Sequence, residues 1–294
     1  PQQQSVKEQL SKLNKIPSQQ ILLGNGSDEV LDLIMRAFCE PAKDNVIILP
    51  PTYGMYKVLA NINDIEVKEV LLTRDFAPKT QTILLASNEN SKILFLCSPN
   101  NPTGNTFARV QVEKLLKQFE GIVVIDEAYI DFSEEETWLN RLSEFPNLII
   151  TQTLSKAYGM AGIRLGACYA SQEIIKALNS IKPPYNVNTL TQQKALERLG
   201  ETAKIQAEIE LIKKQKKELQ DQLNQLNFIE IVHPSDTNFF LVKVDDANKR
   251  YAQLITKNVV VRNRSKEPLC ENCLRISIGT QKENEKLIQI LREI

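Results

Sequence analysis

The chain has 294 residues, of which 42% are hydrophobic and 24% are charged, a composition typical of a soluble globular protein. Lysine and arginine together number 36, as do aspartate and glutamate, so the overall charge offers no attraction for nucleic acid or an anionic membrane. No apolar run approaches the length of a membrane span, and we expect neither nucleic acid nor a membrane as partner.

In chain order, residues 5–15 predict a short helix, and residues 19–38 predict a strand, a glycine turn and an amphipathic helix. The stretches "NVIILPP" and "IEVKEVLL" predict two strands. Three buried strands follow in "KILFLC", "GIVVID" and "NLIIT", interleaved with helical stretches such as residues 109–119. Continuous apolar strands separated by helices indicate an α/β domain, with a mostly parallel sheet covered by helices on both faces.

Residues 189–226 predict one long helix, whose apolar stripe suits the bracing of one domain against another better than a coiled coil. Beyond it, "FIEIVHP", "NFFLVKV", "NVVVRNR" and "CLRISIG" predict four strands, with helices near residues 251–256 and at the end of the chain. We therefore predict a large domain over residues 16–187, and a smaller α+β domain formed by residues 1–15 and 188–294.

The five cysteines are scattered and lie mostly inside apolar runs, which predicts buried thiols, a reducing compartment and therefore a cytoplasmic location. Cys270 and Cys273 have the CxxC spacing of a zinc or redox site. No second CxxC follows, and the one histidine, His233, stands apart as a loop or packing residue. We therefore predict no metal site.

Polar side chains follow the three buried strands, at the edge where parallel sheets bind their ligands. Asn101 follows the first strand, Asp126 ends the second and Lys156 follows the third. Taken singly, Asn101 could shape a turn, Asp126 could cap a helix, and Lys156 could be a solvated lysine. Their arrival at one edge predicts a site.

Lys156 lies between Ser155 and Ala157 directly after an apolar strand, a setting that suits an amine that reacts with a carbonyl. Arg164 supplies a charge that lowers the pKa of such an amine, and a fork that binds phosphate. An aldehyde and a phosphate occur together in pyridoxal 5′-phosphate, whose ring nitrogen requires a buried carboxylate such as Asp126.

The other groups that this cofactor needs are present in the sequence. Asn101 and Tyr129 can donate hydrogen bonds to the ring's phenolic oxygen, and Tyr53 can stack on the ring, although Tyr53 could equally be a core residue. The turn "GNGSDE" opens a helix and offers backbone N–H groups to the phosphate, although such turns are common before helices.

The strings "SPNNPTG", "DEAY" and "TLSKAYGMAGIRLG" together resemble the fold-type I aminotransferases that use pyridoxal phosphate. The strings "AFCEP", "PPTYGMY", "VIDEAYIDF" and "CLRISIGT" narrow the resemblance to the histidinol-phosphate aminotransferase family, over nearly the whole chain. The resemblance implies a homodimeric transaminase of histidine biosynthesis with ping-pong kinetics. Histidinol phosphate and 2-oxoglutarate would be its substrates, and imidazole-acetol phosphate and glutamate its products.

The resemblance also implies a role for each matching residue. Lys156 would be the catalytic residue, joined to the cofactor's aldehyde and carrying protons. Arg262 and Arg275 would bind the anionic end of the substrate, although both could otherwise be surface ion-pair partners. The expected cofactor-binding residues are Gly26, Ser27, Asp28, Tyr53, Asn101, Asp126, Tyr129, Ser155, Lys156 and Arg164.

Family members also carry an upstream arm whose tyrosine reaches the cofactor phosphate of the other subunit, and this sequence begins where that arm would end. We therefore expect the chain as given to bind the cofactor but to turn over poorly. Two alternatives stay open. A related enzyme, such as an aromatic or broad-range aminotransferase or a phosphothreonine decarboxylase, would use the same lysine and aspartate. A non-catalytic effector-binding module is disfavoured, because the chain shows neither a helix-turn-helix extension nor a basic patch.

Overall fold

Two β-sheets organise the chain in the computed structural model, which describes residues 3–294. Residues 1 and 2, the start of the predicted segment 1–15, lie outside the described range. The strands are β1 Ile21–Asn25, β2 Asn45–Ile48, β3 Glu66–Glu69, β4 Ser91–Cys97, β5 Ile122–Asp126, β6 Leu148–Thr153, β7 Leu165–Ala170, β8 Ile229–Val232, β9 Phe239–Val244, β10 Arg262–Asn263 and β11 Cys273–Ser277. The helices are α1 Gln4–Asn14, α2 Ser27–Phe38, α3 Met55–Ile62, α4 Thr80–Ala86, α5 Arg109–Gln118, α6 Gln172–Ile181, α7 Thr189–Leu199, α8 Thr202–Leu223, α9 Ala247–Thr256 and α10 Gln281–Glu293.

The larger sheet has seven strands in the order β1-β7-β6-β5-β4-β2-β3. Strands β3, β2, β4, β5 and β6 run parallel to one another, which confirms the predicted mostly parallel sheet. The sequence analysis missed β7, which runs antiparallel to both β6 and β1 and is buried along its whole length. The chain that follows Lys156 therefore returns to the sheet as β7, between β6 and β1.

Both faces of the larger sheet are covered by apolar clusters. Successive side chains of each strand point to opposite faces, so each interior strand contributes to both clusters. In β4, Leu94 and Leu96 belong to the apolar cluster that includes Val112 of α5. Ile93 and Phe95 belong to the cluster on the other face, which includes Leu31 of α2. The unbroken apolar runs of the sequence therefore arise from strands that are covered twice.

The smaller sheet is antiparallel, in the order β10-β11-β9-β8, and it has an apolar cluster of its own. Helices α8, α9 and α10 contribute Leu219, Leu254 and Leu287 to this cluster. Of the predicted strand "NVVVRNR", only Arg262–Asn263 pairs with a neighbour, so most of that prediction is wrong.

The single helix predicted for residues 189–226 is also wrong, because the chain breaks into α7 and α8 around Gly200. Leu199 of α7 is buried in the cluster of the larger sheet, whereas Leu219 of α8 is buried in that of the smaller sheet. The two helices thus bury their apolar residues in different cores. An ion pair between Arg198 and Glu208 spans the break.

The first helix belongs to the larger core by its packing, since α1 lies against α7 and buries Val6 and Leu10 in the cluster of the larger sheet. The division into residues 16–187 and residues 1–15 plus 188–294 remains a proposal. All five cysteines are buried, as predicted, and His233 packs edge-on against Phe76 with ring centroids 5.2 Å apart. Within residues 3–294, no helix combines the length and apolar character that crossing a membrane requires.

The interior strand β6 lies between β5 and β7 and is a sensitive part of the core. We expect Ile150→Ala to lower the free energy of unfolding by about 2–5 kcal/mol, because it removes buried methyl groups from a fully covered strand. Val110→Ala is the matched control, since Val110 is 76% exposed, and it should change the free energy by less than about 0.5 kcal/mol. Urea unfolding checks both, and equal effects would contradict the packing described.

Candidate active site

A cavity of about 530 Å³ lies at the carboxyl ends of β4, β5 and β6, where it is also lined by residues of the smaller sheet. Every predicted site residue except Gly26 contributes to its wall. The predicted residues found there are Ser27, Asp28, Tyr53, Asn101, Asp126, Tyr129, Ser155, Lys156, Arg164, Arg262 and Arg275. Residues distant in sequence thus meet at the edge of the sheet that the sequence analysis identified.

Asp126 ends β5 and its side chain is buried at the base of the cavity. Oδ2 accepts a hydrogen bond from the hydroxyl of Tyr56 at 2.8 Å, and Oδ1 accepts one from the backbone N–H of Ala128 at 3.2 Å. Burial raises the pKa of Asp126, and these two hydrogen bonds act against the rise. A carboxylate held in this way favours a cationic partner in the cavity.

Tyr56 is a site residue that the sequence analysis missed. It is fully buried in α3, and its ring stacks on that of Phe95 with centroids 4.8 Å apart. The signal lay in "PPTYGMY", where only the first tyrosine, Tyr53, was considered. Tyr56 orients the carboxylate of Asp126 through its hydrogen bond and does not line the cavity, whereas Tyr53 lies in the cavity wall.

Lys156 follows β6, and its Nζ lies 5.3 Å from the centroid of the Tyr129 ring. Although the residue is exposed, its surface faces the cavity, and desolvation there is the largest cause that lowers the pKa of Lys156. The charge of Arg275 lowers this pKa further, Asp126 opposes it, and Arg164 contributes less. The sequence analysis had assigned this electrostatic effect to Arg164, so its main source was missed.

Two glycines allow the chain to pack closely beside the start of α2. Gly26 has a backbone φ of 83°, and a Cβ added there would lie 2.5 Å from Nη2 of Arg164. Gly166 of β7 likewise leaves no room for a side chain, because a Cβ would overlap the backbone of Ser27. The first backbone N–H groups of a helix point outward and attract anions, so this corner suits a phosphate.

Asp28 connects this corner to the rest of the cavity. Its Oδ1 accepts a hydrogen bond from the hydroxyl of Tyr53 at 2.9 Å, and its Oδ2 lies 3.7 Å from Nη2 of Arg164. These contacts hold both partners against the wall. Ser155, which is half-buried, completes the corner from the segment before Lys156.

The opposite side of the cavity is lined by arginines. Nη1 of Arg275 donates to Oδ1 of Asn101 at 2.7 Å, and its guanidinium carbon lies 4.9 Å from the centroid of the Phe239 ring. Arg262 of β10 faces Arg275 in the paired register of β10 and β11. Arg264, which the sequence analysis did not consider, also lines the cavity.

Comparison with known proteins identifies a family, a similar protein and two solved structures with the same fold. The model of the family "Aminotransferase class I and II" matches residues 1–291. The chain is 64% identical to the histidinol-phosphate aminotransferase of Flavobacterium johnsoniae, over 99% of this chain and 84% of that protein.

Two solved structures have the same fold. Histidinol-phosphate aminotransferase from Sinorhizobium meliloti in complex with pyridoxal-5'-phosphate matches with a TM-score of 0.90 at 21% identity, covering 100% of this chain and 82% of that chain. L-threonine-O-3-phosphate decarboxylase from Porphyromonas gingivalis matches with a TM-score of 0.85 at 26% identity, covering 100% of this chain and 89% of that chain. The predicted fold-type I architecture is thereby confirmed.

The lowered pKa of Lys156 predicts an unusually reactive amine. In protein without added cofactor, acetic anhydride should label Lys156 at lower pH than Lys57, because more of the Lys156 amine is neutral at a given pH. Lys57 is the control, since its hydrogen bond to Glu69 raises its pKa. Mass spectrometry of the labelled peptides gives both midpoints.

Arg275→Gln should move the labelling midpoint of Lys156 upward, because it removes the charge that most lowers this pKa. A midpoint for Lys156 at or above that of Lys57 would contradict the electrostatics described here.

Proposed function

The chain belongs to the class I and II aminotransferases, and from that premise we propose that it transfers the amino group of histidinol phosphate to 2-oxoglutarate. The products are imidazole-acetol phosphate and glutamate, and the reaction belongs to histidine biosynthesis. The observation that carries the proposal is the placement of Lys156 and Asp126 in one cavity that is also lined by Arg164 near the start of α2 and by arginines of the smaller sheet.

We propose pyridoxal 5′-phosphate as the cofactor, and the residues present fit it. The corner formed by Gly26, Ser27, Ser155 and Arg164 suits the phosphate, because it combines a helix start with a guanidinium. Asp126 suits the protonated ring nitrogen, since a buried carboxylate favours a cation. When bound, the cofactor supplies an electron sink for the bond that is broken at the substrate's Cα.

Asn101 and Tyr129 are proposed to donate to the phenolic oxygen of the cofactor. The bond from Arg275 occupies Oδ1 of Asn101, which orients the amide so that its Nδ2 donor remains for another acceptor. Tyr129 is buried in the wall, edge-on to Phe239 at 5.2 Å between ring centroids. Tyr53 is proposed to lie against the face of the ring, held by its bond to Asp28.

Lys156 is proposed to hold the cofactor's aldehyde, and to carry the proton once the amino group of the substrate has displaced its amine from that carbon. Because the pKa of Lys156 is lowered, a larger share of its amine is neutral at a given pH than for an ordinary lysine, and the neutral amine would accept the proton from the substrate's Cα and deliver it to C4′ of the cofactor. The same amine serves both half-reactions, since the second substrate reverses the direction of this transfer. Proton transfer by a positioned side chain contributes about 10²–10⁴-fold to rate.

Arg262 and Arg275 are proposed to bind the anionic end of each substrate. Histidinol phosphate ends in a phosphate and 2-oxoglutarate in a carboxylate, and one site must accept both. The planar guanidinium fork binds either group through two parallel hydrogen bonds, which an ammonium cannot do.

The remaining assignments are proposals of the same kind. The family resemblance supports a homodimer. The odd number and scatter of the cysteines support a cytoplasmic location.

The substrate assignment is tested by turnover of the chain loaded with pyridoxal phosphate. We expect glutamate to form from histidinol phosphate and 2-oxoglutarate faster than from phenylalanine, and phosphothreonine to release no carbon dioxide. Lys156→Ala should lower the rate by at least about 10²-fold, while Lys176→Ala, a change at an exposed lysine, should leave it unchanged. Faster turnover of phenylalanine, or decarboxylation of phosphothreonine, would support the related enzymes instead.

A further inference from the structure

Three arginine side chains lie on one wall of the cavity, on the side of the smaller sheet. Arg262 and Arg264 are two residues apart in an extended segment, so their side chains share a face, and Asn263 between them donates outward to Asn248. Arg275 stands opposite Arg262 in the neighbouring strand. Like charges in this position destabilise a sheet, and a bound anion would remove the conflict.

Arg264 is held in place but keeps a free donor. Its backbone N–H donates to the carbonyl of Cys273 at 2.8 Å, which fixes it beside the start of β11. Its Nη1 lies 3.6 Å from Oε1 of Glu267, too far for a hydrogen bond. Its Nε is buried and has no hydrogen-bond partner within residues 3–294. A buried donor left in this state is costly unless a ligand accepts from it.

Arg275 also has a buried nitrogen that donates no hydrogen bond within the described residues. One of its nitrogens donates to Asn101, but its Nε is buried and finds no acceptor in the described part of the chain. Burial first, and then the charges of Arg264 and Arg262, lower the pKa of Arg275. The guanidinium groups are therefore close enough to repel one another.

The carboxylates that line the cavity lie elsewhere in it. Asp28 is near Arg164 at the start of α2, and Asp126 is bonded to Tyr56 at the end of β5. Within residues 3–294, the one carboxylate within 4 Å of a guanidinium nitrogen of the three wall arginines is that of Glu267, beside Arg264. The wall thus carries an excess of positive charge together with two unused buried donors.

We propose that Arg264 determines specificity, by binding the phosphate of the amino donor in preference to the carboxylate of the acceptor. This inference rests on the proposed function. A phosphate monoester carries about 1.5–2 negative charges at neutral pH and three acceptor oxygens. A carboxylate carries one charge and two oxygens, which a single guanidinium fork such as that of Arg275 can satisfy. The additional donor of Arg264 therefore favours the phosphate.

The kinetic test compares the two substrates of the holoenzyme. Arg264→Gln should lower kcat/KM for histidinol phosphate by about 10- to 100-fold, the usual effect of losing charge-assisted hydrogen bonds, and that for 2-oxoglutarate by less than about 3-fold. Arg264→Lys, which keeps the charge but not the fork, should fall between wild type and Arg264→Gln. Arg292→Gln, at an exposed arginine of α10, is the matched control and should change neither value. Equal losses for both substrates, or no loss for either, would overturn the inference.

A second measurement separates this inference from the proposed function. Inorganic phosphate titrated into the holoenzyme, whose cofactor-phosphate corner is already filled, should bind about 10-fold more weakly to Arg264→Gln than to wild type or Arg292→Gln, with Arg264→Lys in between. If wild type rejects histidinol phosphate but this dependence on Arg264 is found, the proposed function fails and the phosphate-selective wall stands. Phosphate binding that is the same in all four proteins would overturn the inference, whatever the substrate.

Discussion

A carboxylate held out of water at the end of a parallel strand is the interaction on which the site depends. Asp126 is buried among apolar strands, and its two hydrogen bonds only partly offset the cost of removing its charge from water. The remaining stabilisation has to come from positive charge in the cavity. Lys156 and the cation of a bound ring are the groups that this carboxylate can stabilise.

The register of the parallel strands gives this carboxylate its neighbours. Asp126 pairs with Cys97 of β4 on one side and with Thr151 of β6 on the other, so the three strands end at nearly the same level. The segments that leave β4 and β6 then deliver Asn101 and Lys156 to the same cavity. The smaller sheet closes the cavity from the far side, where Arg275 bonds to Asn101. The residues proposed for catalysis and those proposed for substrate binding are thus held by two separate cores.

Sequence patterns predicted the parts of this arrangement that follow from local periodicity. The apolar runs of β4, β5 and β6 and the polar residues that end them were evident, and so was their common edge. The roles of Tyr56 and Arg264 were not, because each depends on contacts across the fold, with Asp126 in one case and with the arginine wall in the other. The break at Gly200 was missed for a similar reason. The helical pattern of the sequence continues through it, and the break follows from the packing of α7 and α8 into different cores.

Reduction by borohydride is the most direct test of the claim that the amine of Lys156 and the buried carboxylate of Asp126 bind the same cofactor molecule. The chain is incubated with pyridoxal 5′-phosphate, reduced, digested, and mapped by mass spectrometry. Our account predicts a pyridoxyl group on Lys156 alone, and loss of that label when Asp126→Ala removes the partner of the ring. Label spread over surface lysines, or label on Lys156 that does not depend on Asp126, would contradict it.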